Sequence, residues 1–250
     1  MKEKIINLVN KRYFHVCITI LIIVVILFVV GMLILRYNVE GETNMPFNLT
    51  KIAVISSSEG IDKDPGENKW AFDIYQNNDI YIYIDKNENY KETEAIKNVV
   101  IDNFTIEGQN KNNVNMYKPE FEEENVIFKY SEANKVDRLE YIGELVNDIK
   151  TMQVSNQGGI IAFRCSNDNL GEYKSNEDSI NHNELLKKAN ITNESLQFNF
   201  KFDLSIILEN RKEFKTNIEL KLPVDDVVNS GVTSKEFTDM SNFVFKRIKN

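Results

Sequence analysis

The sequence predicts a mainly β, antiparallel, sandwich-like extracytoplasmic domain carrying one or two short helices, preceded by one N-terminal transmembrane helix. Three observations carry this reading. Residues Val16 to Leu35 form a 20-residue run without charge. Apolar residues occupy every second position from Leu196 to Leu208, and the same parity resumes at Phe214, Ile218, Leu220 and Leu222. Several further runs rich in β-branched and aromatic residues are separated by Asn, Asp and Gly, which favour turns.

The span comes first in the chain. At about 1.5 Å rise per residue, a 20-residue helix crosses about 30 Å of hydrocarbon. Only Thr19 and Gly31 interrupt the apolar run. Lys11 and Arg12 precede it and Arg36 follows, where basic side chains snorkel to headgroups. A cleaved signal peptide has a shorter apolar region and a small-x-small cleavage site, whereas here Leu35 leads into Arg36-Tyr37-Asn38-Val39-Glu40. The reading is therefore an uncleaved, single-pass signal anchor in the plasma membrane. Lys2, Lys4, Lys11 and Arg12 precede the span, against Arg36 and Lys51 in a comparable window after it, which keeps the N-terminus cytoplasmic. The chain then divides into a short cytoplasmic tail (1–13), the signal-anchor helix (14–36), a polar stalk (37–47) and an extracytoplasmic β-rich domain (48–250).

The β-like runs follow in order. After residues 49–55, runs 70–76 and 80–85 read as a hairpin around a loop Asn77-Asn78-Asp79, with Tyr81 and Tyr83 on the face opposite Ile80, Ile82 and Ile84. Further runs lie at 99–106, 126–130, 152–154 and 160–164. The string Ser155 to Arg164 reads as a tight hairpin turning at Gly158 and Gly159, which adopt positive φ readily. Two helices are expected. One covers 182–189, capped by Asn181 with Ile180 stapled onto Leu185. The other covers 136–149, with Val136, Leu139, Ile142, Val146 and Ile149 on one face. A three-residue loop Asn210-Arg211-Lys212 puts all apolar residues of the C-terminal hairpin on one face, but sets Asp203 against Glu219 and Lys201 against Lys221. A turn at 234–240 precedes a last β-like run at 243–248.

Charge and composition narrow the chemistry. The net charge of −8 divides into +4 over residues 1–36 and −12 over the remainder, so the outer domain repels polyphosphates, nucleic acid and anionic wall polymers. Cys17 lies in the span and Cys165 in the domain, which leaves the domain without an internal disulfide. The histidines are His15, at the edge of the span, and His182. Cys165 with His182 is the one pairing that could make a thiol nucleophile and its base, yet Cys165 adjoins an apolar strand and reads as a small core hydrophobe. Zinc is excluded because the cysteines and histidines are split across the membrane. Asp85-Lys86-Asn87-Glu88-Asn89 starts like a calcium loop, but Tyr90 and Ile96 stand where glycine and glutamate are required. Asp62 to Asn68 is an oxygen-rich turn of the ordinary solvated kind. No catalytic, cofactor-binding or metal residue is assigned, and no cofactor is expected.

Several strings together resemble a group of uncharacterised single-span membrane proteins of clostridia and related Firmicutes. They are the N-terminal span, Trp70 to Ile84 with Gln76-Asn77-Asn78-Asp79-Ile80, Ser155 to Arg164, Leu170-Gly171-Glu172-Tyr173, and His182 to Lys188 leading into the long hairpin. The resemblance implies a membrane location and a bacterial source, and carries no activity or ligand. The functional expectation is a membrane-anchored, non-catalytic binding or structural protein of the cell envelope. It would contact the bilayer through Val16–Leu35 and engage an envelope protein or wall component. The alternatives are an envelope hydrolase using a carboxylate pair, and a single-pass sensor or regulatory subunit working with a membrane partner.

Overall fold

The computed structural model describes residues 2–39, 41–108, 113–120 and 127–248 and, within the N-terminal helix, the side chains of Lys11, Tyr13 and residues 15–33. Helix α1 (Lys2–Val39) is continuous over 38 residues, about 57 Å at ~1.5 Å rise per residue. Its segment His15–Leu33 has a mean hydropathy of 3.4 and buries none of its surface against the rest of the chain, so the helix is long and apolar enough to cross a membrane. The Thr19 hydroxyl donates to the His15 carbonyl at 2.9 Å, which satisfies the one hydroxyl within the apolar run. The side chains of Arg12 and Arg36 lie outside the described residues.

Beyond the helix the chain is mostly strand. In order come β1 (Phe47–Asp62), β2 (Trp70–Lys86), β3 (Ile96–Gly108), β4 (Val114–Tyr117), β5 (Leu139–Glu144), β6 (Gln153–Ser155), β7 (Gly159–Ser175), α2 (Leu185–Lys188), α3 (Asn193–Leu196), β8 (Phe198–Leu208), β9 (Glu213–Leu222), α4 (Val227–Ser230), β10 (Val232–Phe237) and β11 (Lys246–Ile248). They form two sheets, ordered β10-β1-β2-β7-β4 and β11-β9-β8-β3-β5-β6. Every strand pair is antiparallel except β5 with β6. The expected mainly β sandwich with few short helices is the fold observed.

The largest departure from the sequence reading is β2. No loop interrupts it at Asn77-Asn78-Asp79; one 17-residue strand runs through, with Phe72, Ile74, Gln76, Asn78, Ile80, Ile82 and Ile84 all buried on one face. Polar residues are tolerated there because neighbouring strands supply partners. Asn78 Oδ1 accepts from Ser56 Oγ (2.7 Å) and Gln76 Nε2 (3.0 Å), while Asn78 Nδ2 donates to the Cys165 carbonyl (3.1 Å). Asn167 Nδ2 donates to Gln76 Oε1 (2.9 Å), and Ser56 Oγ accepts from the Val224 amide (2.9 Å). This belt separates two apolar clusters. The larger fills the space between the sheets around Ile82, Phe163, Phe202 and Leu204. The smaller lies past the end of the six-stranded sheet, where Phe72 and Ile74 meet Leu185, Leu186, Leu196 and Val227 from the short helices.

Other segments also differ from expectation. Residues 139–144, expected within a helix, form β5 because Leu139 and Tyr141 alternate into the core beside β3. Gly143 fits there since a Cβ would overlap the Ile96 carbonyl. Of the run expected at 126–130, Val126 lies outside the described residues and 127–130 are irregular, tied by Glu120 N to the Ile127 carbonyl (2.8 Å). The Ser155–Gly158 turn exists, with Gly158 at φ +104° and its amide on the Ser155 carbonyl (3.0 Å). It carries the chain from one sheet to the other, however, and is no hairpin. The helix expected at 182–189 is a 3-10 turn (His182–Glu184), capped by Asn181, that continues into α2, with Leu185 and Leu186 buried. Strand β10 occupies most of the turn expected at 234–240.

The C-terminal hairpin keeps its predicted face but shifts by two residues. Its loop is Glu209-Asn210-Arg211, closed by the Leu208 amide on the Lys212 carbonyl (2.9 Å), with Arg211 at φ +68°. Phe202 therefore faces Ile218 and Ile206 faces Phe214. The charges explain the choice: the shift sets Lys201 opposite Glu219 (3.6 Å) and Asp203 opposite Asn217 (3.1 Å), removing both like-charge pairs.

Burial opposes ionisation of Asp203, but the Asn217 and Asn103 amides and Lys215 outweigh it and hold its carboxyl below the usual range. A lowered folded pKa contributes stability that is present above the unfolded aspartate value of about 3.9 and is lost as pH falls through the folded value. Asp203→Asn therefore flattens the acid limb: urea midpoints of the variant fall less steeply than those of the parent as pH drops from about 4 to about 2. Parallel limbs would contradict this account.

Candidate functional site

The polar side chains that converge most densely lie on the face of the five-stranded sheet turned away from the core. Odd positions of β2 and even positions of β7 point there, and Asp79 and Arg164 are direct cross-strand partners. Arg164 meets Asp79 through two bonds, Nε to Oδ1 (2.6 Å) and Nη2 to Oδ2 (2.9 Å). Its Nη1 also reaches Glu59 Oε2 (3.5 Å) and the Tyr130 hydroxyl (3.4 Å). The Arg164 and Asp79 side chains are only 12% and 15% exposed, which makes this a largely desolvated, two-pronged ion pair. Burial works against the guanidinium charge, and the Asp79 bonds and charge, with Tyr130 and Glu59 beside them, more than restore it.

The lid over this pair comes from the segment after β4. Phe128 and Tyr130 place their rings 5.0 Å and 5.6 Å from the guanidinium carbon. Tyr130 donates to Glu59 Oε2 (3.0 Å) and to Asn77 Oδ1, and its ring lies against Tyr75 (4.6 Å) and Tyr117 (5.6 Å). A second focus adjoins. Tyr117 and Asn115 on β4 donate to Asp168 Oδ2 at 2.5 Å and 2.8 Å. Asp168 stands where β7 bulges against β2, and its other oxygen is buried without a hydrogen bond among the described residues. Burial raises both phenols, reinforced by Asp168 at Tyr117 and by Glu59 at Tyr130. Both therefore stay protonated as donors. The positive charge is matched by a carboxylate, and the arrangement clamps a loop to a sheet.

The residues singled out from sequence are not brought together. Cys165 is fully buried in the main core beside Asn78, and burial pushes its thiol up, with Asp168 adding to the effect. His182 is exposed and sets its ring edge against Phe72 (5.4 Å), six residues along β2 from Asn78, about 20 Å away at ~3.3 Å per residue. The oxygen-rich turns spend their side chains on structure. Asp85 accepts from Thr50 (2.7 Å), Asn87 donates to the Met45 carbonyl (2.9 Å), and Asp64 accepts from the Gly66 amide (3.0 Å). Among the described residues no three His, Cys, Asp or Glu side chains gather closely enough to hold a metal ion.

Two surface depressions lie elsewhere. One of about 410 Å³ is lined by Glu219, Lys221, Asp225, Asp226 and Lys235 together with Phe237 and Phe243. The other, about 430 Å³, runs beside the start of β1 and is lined mainly by Met45, Phe47, Leu49, Met240, Phe243 and Phe245. The sequence reading missed the Arg164 cluster because it placed Asp79 in a loop and ended the next strand at Arg164. The alternation Ala162, Arg164, Ser166, Asp168 carried the signal.

Arg164→Ala leaves Asp79 buried without its counter-charge and is expected to cost about 3–4 kcal/mol. Arg164→Lys keeps the charge but loses the fork geometry and costs less. Urea unfolding of the full chain in detergent micelles measures both; an alanine variant within about 0.5 kcal/mol of the parent, the range of an ordinary surface change, would show that the pair holds nothing.

No family model, no curated protein and no solved structure matches this chain, so the fold and the site stand on their own geometry.

Proposed function

We propose that this chain is a single-pass protein of a bacterial cell envelope, with its N-terminus in the cytoplasm and the β sandwich outside, acting as a non-catalytic binding or structural module. One observation carries the reading: the His15–Leu33 stretch is wholly unburied, while the sandwich closes its own core without it. Twenty uncharged residues left facing solvent would be a severe aggregation liability in water, and a bilayer removes that cost. The surplus of basic residues before the span supports the orientation.

The non-catalytic part rests on the site. The Arg164 charge is paired with Asp79 by two bonds, the phenols beside it are held protonated, and the cysteine is buried in the core away from the histidine. A negative outer domain with mixed-charge and apolar depressions suits an envelope protein or an uncharged wall component better than an anionic polymer.

Topology tests the reading most simply. In intact cells an epitope tag after Asn250 should be removed by added protease, while a tag before Met1 is cut only after permeabilisation, and the protein should resist extraction by alkaline carbonate. A protein released by carbonate, or a C-terminal tag protected in intact cells, would refute the anchor or its direction.

A further inference from the structure

Three aliphatic side chains within five residues stand in solvent at the end of β5: Ile142 (55% exposed), Leu145 (86%) and Val146 (64%). Helical periodicity would have buried Ile142 and Val146 on one face; as strand and bend they stand uncovered among the described residues. Their neighbours turn back toward the domain. Asn147 Oδ1 accepts from the Ile160 amide (2.5 Å) and Asp148 Oδ1 from the Lys150 amide (3.1 Å), which leaves Leu145 and Val146 as the tip.

Strand register fixes where this tip lies. Two residues after α1 ends, the Gly41 amide donates to the Arg247 carbonyl (2.9 Å) and the Arg247 amide to the Glu42 carbonyl (2.8 Å). From there one row crosses the six-stranded sheet: Arg247 faces Phe214, Phe214 faces Ile206, Ile206 faces Val99, and Val99 faces Tyr141. Moving along each strand toward the helix side of that row leads to Ile248, to the 209–211 loop, to Ile96, and on β5 through Glu144 to Leu145. The apolar tip and the end of the helix therefore belong to the same end of the sandwich, at opposite edges of one sheet. Four helical residues follow Leu35, a rise of about 6 Å, comparable with the depth of a headgroup layer. With α1 as the proposed anchor, this end of the sheet is the one that would face the bilayer surface.

We infer that the Leu145-Val146 tip, with Ile142 behind it, inserts into the interfacial region of the same bilayer that holds α1, giving the domain a second footing and a fixed orientation on the membrane. This rests on the proposed membrane anchor. Since Glu144 and Asp148 flank the tip, apolar insertion rather than attraction to anionic lipid drives the contact, and a zwitterionic bilayer suffices.

The chain has a single tryptophan, Trp70, at the opposite end of β2 from Lys86, about 50 Å away along the strand at ~3.3 Å per residue, which supplies an internal control. The full chain is reconstituted in phosphatidylcholine vesicles with or without brominated acyl chains, as parent and as Trp70→Phe/Val146→Trp, with Trp70→Phe/Leu145→Trp as a second variant. Flotation and protease digestion establish insertion separately. The inference requires brominated lipid to remove about half of the emission of the introduced tryptophan, as fits burial roughly 5–10 Å into the interface, and to leave Trp70 unaffected. Inserted protein whose new tryptophan is not quenched overturns the second footing and leaves the anchor standing, including the case where a second copy covers the tip and emission depends on protein density. Failure to float would overturn the anchor, and the footing with it.

Discussion

The sandwich depends on a belt of buried amides. Gln76, Asn78, Asn167 and Ser56 bond to one another across β1, β2 and β7, with only the Asn167 Oδ1 of this belt left buried without a hydrogen bond among the described residues, and so let β2 run for 17 residues through two apolar clusters. An unpaired amide in such a position costs about 1–3 kcal/mol, whereas a paired one fixes the strands against sliding, because any shift of register strands its partners. The belt sits where the six-stranded sheet ends: Phe198 pairs with Leu222 there, and the Val224 amide reaches Ser56 just beyond. Past it the long strands of the other sheet continue alone, and α2, α3 and α4 supply the apolar side chains that a second sheet would otherwise provide.

Both faces of the five-stranded sheet share this logic. At the level where Asn78 is tied to the Cys165 carbonyl on the inner face, Asn77 and Ser166 meet on the outer one at 2.8 Å. One residue further along β2, Asp79 takes the Arg164 fork, and Tyr130 and Phe128 close over it. The outer cluster therefore secures the irregular segment after β4 to the centre of the sheet. Arg164 and Asp79 spend their charges on each other in that task.

Local patterning made the long apolar N-terminal helix, the one-sided C-terminal hairpin and the sandwich class legible, since each is written in the pattern of its own residues. What stayed hidden depended on partners remote in sequence. Gln76-Asn77-Asn78 looks like a turn until Ser56, Cys165 and Asn167 are placed beside it. Leu139 to Val146 fits a helical face as well as a strand until β3 offers an edge and Gly143 a close approach. The hairpin shift was decided by charge: the predicted loop fixed the face, while Lys201 with Glu219 fixed which residues meet. The Arg164 cluster was the least legible, because its members come from β1, β2, β4, β7 and the loop after β4.

Hydrogen exchange of the backbone amides at 76–79, followed by mass spectrometry of the native chain in micelles, tests the continuous strand most directly. As the centre of a five-stranded sheet these amides should exchange only through global unfolding, with protection equal to that of Ile80 and Ile82. Exchange within seconds at Asn77 to Asp79, flanked by protected residues on both sides, would reveal a loop there and contradict the account.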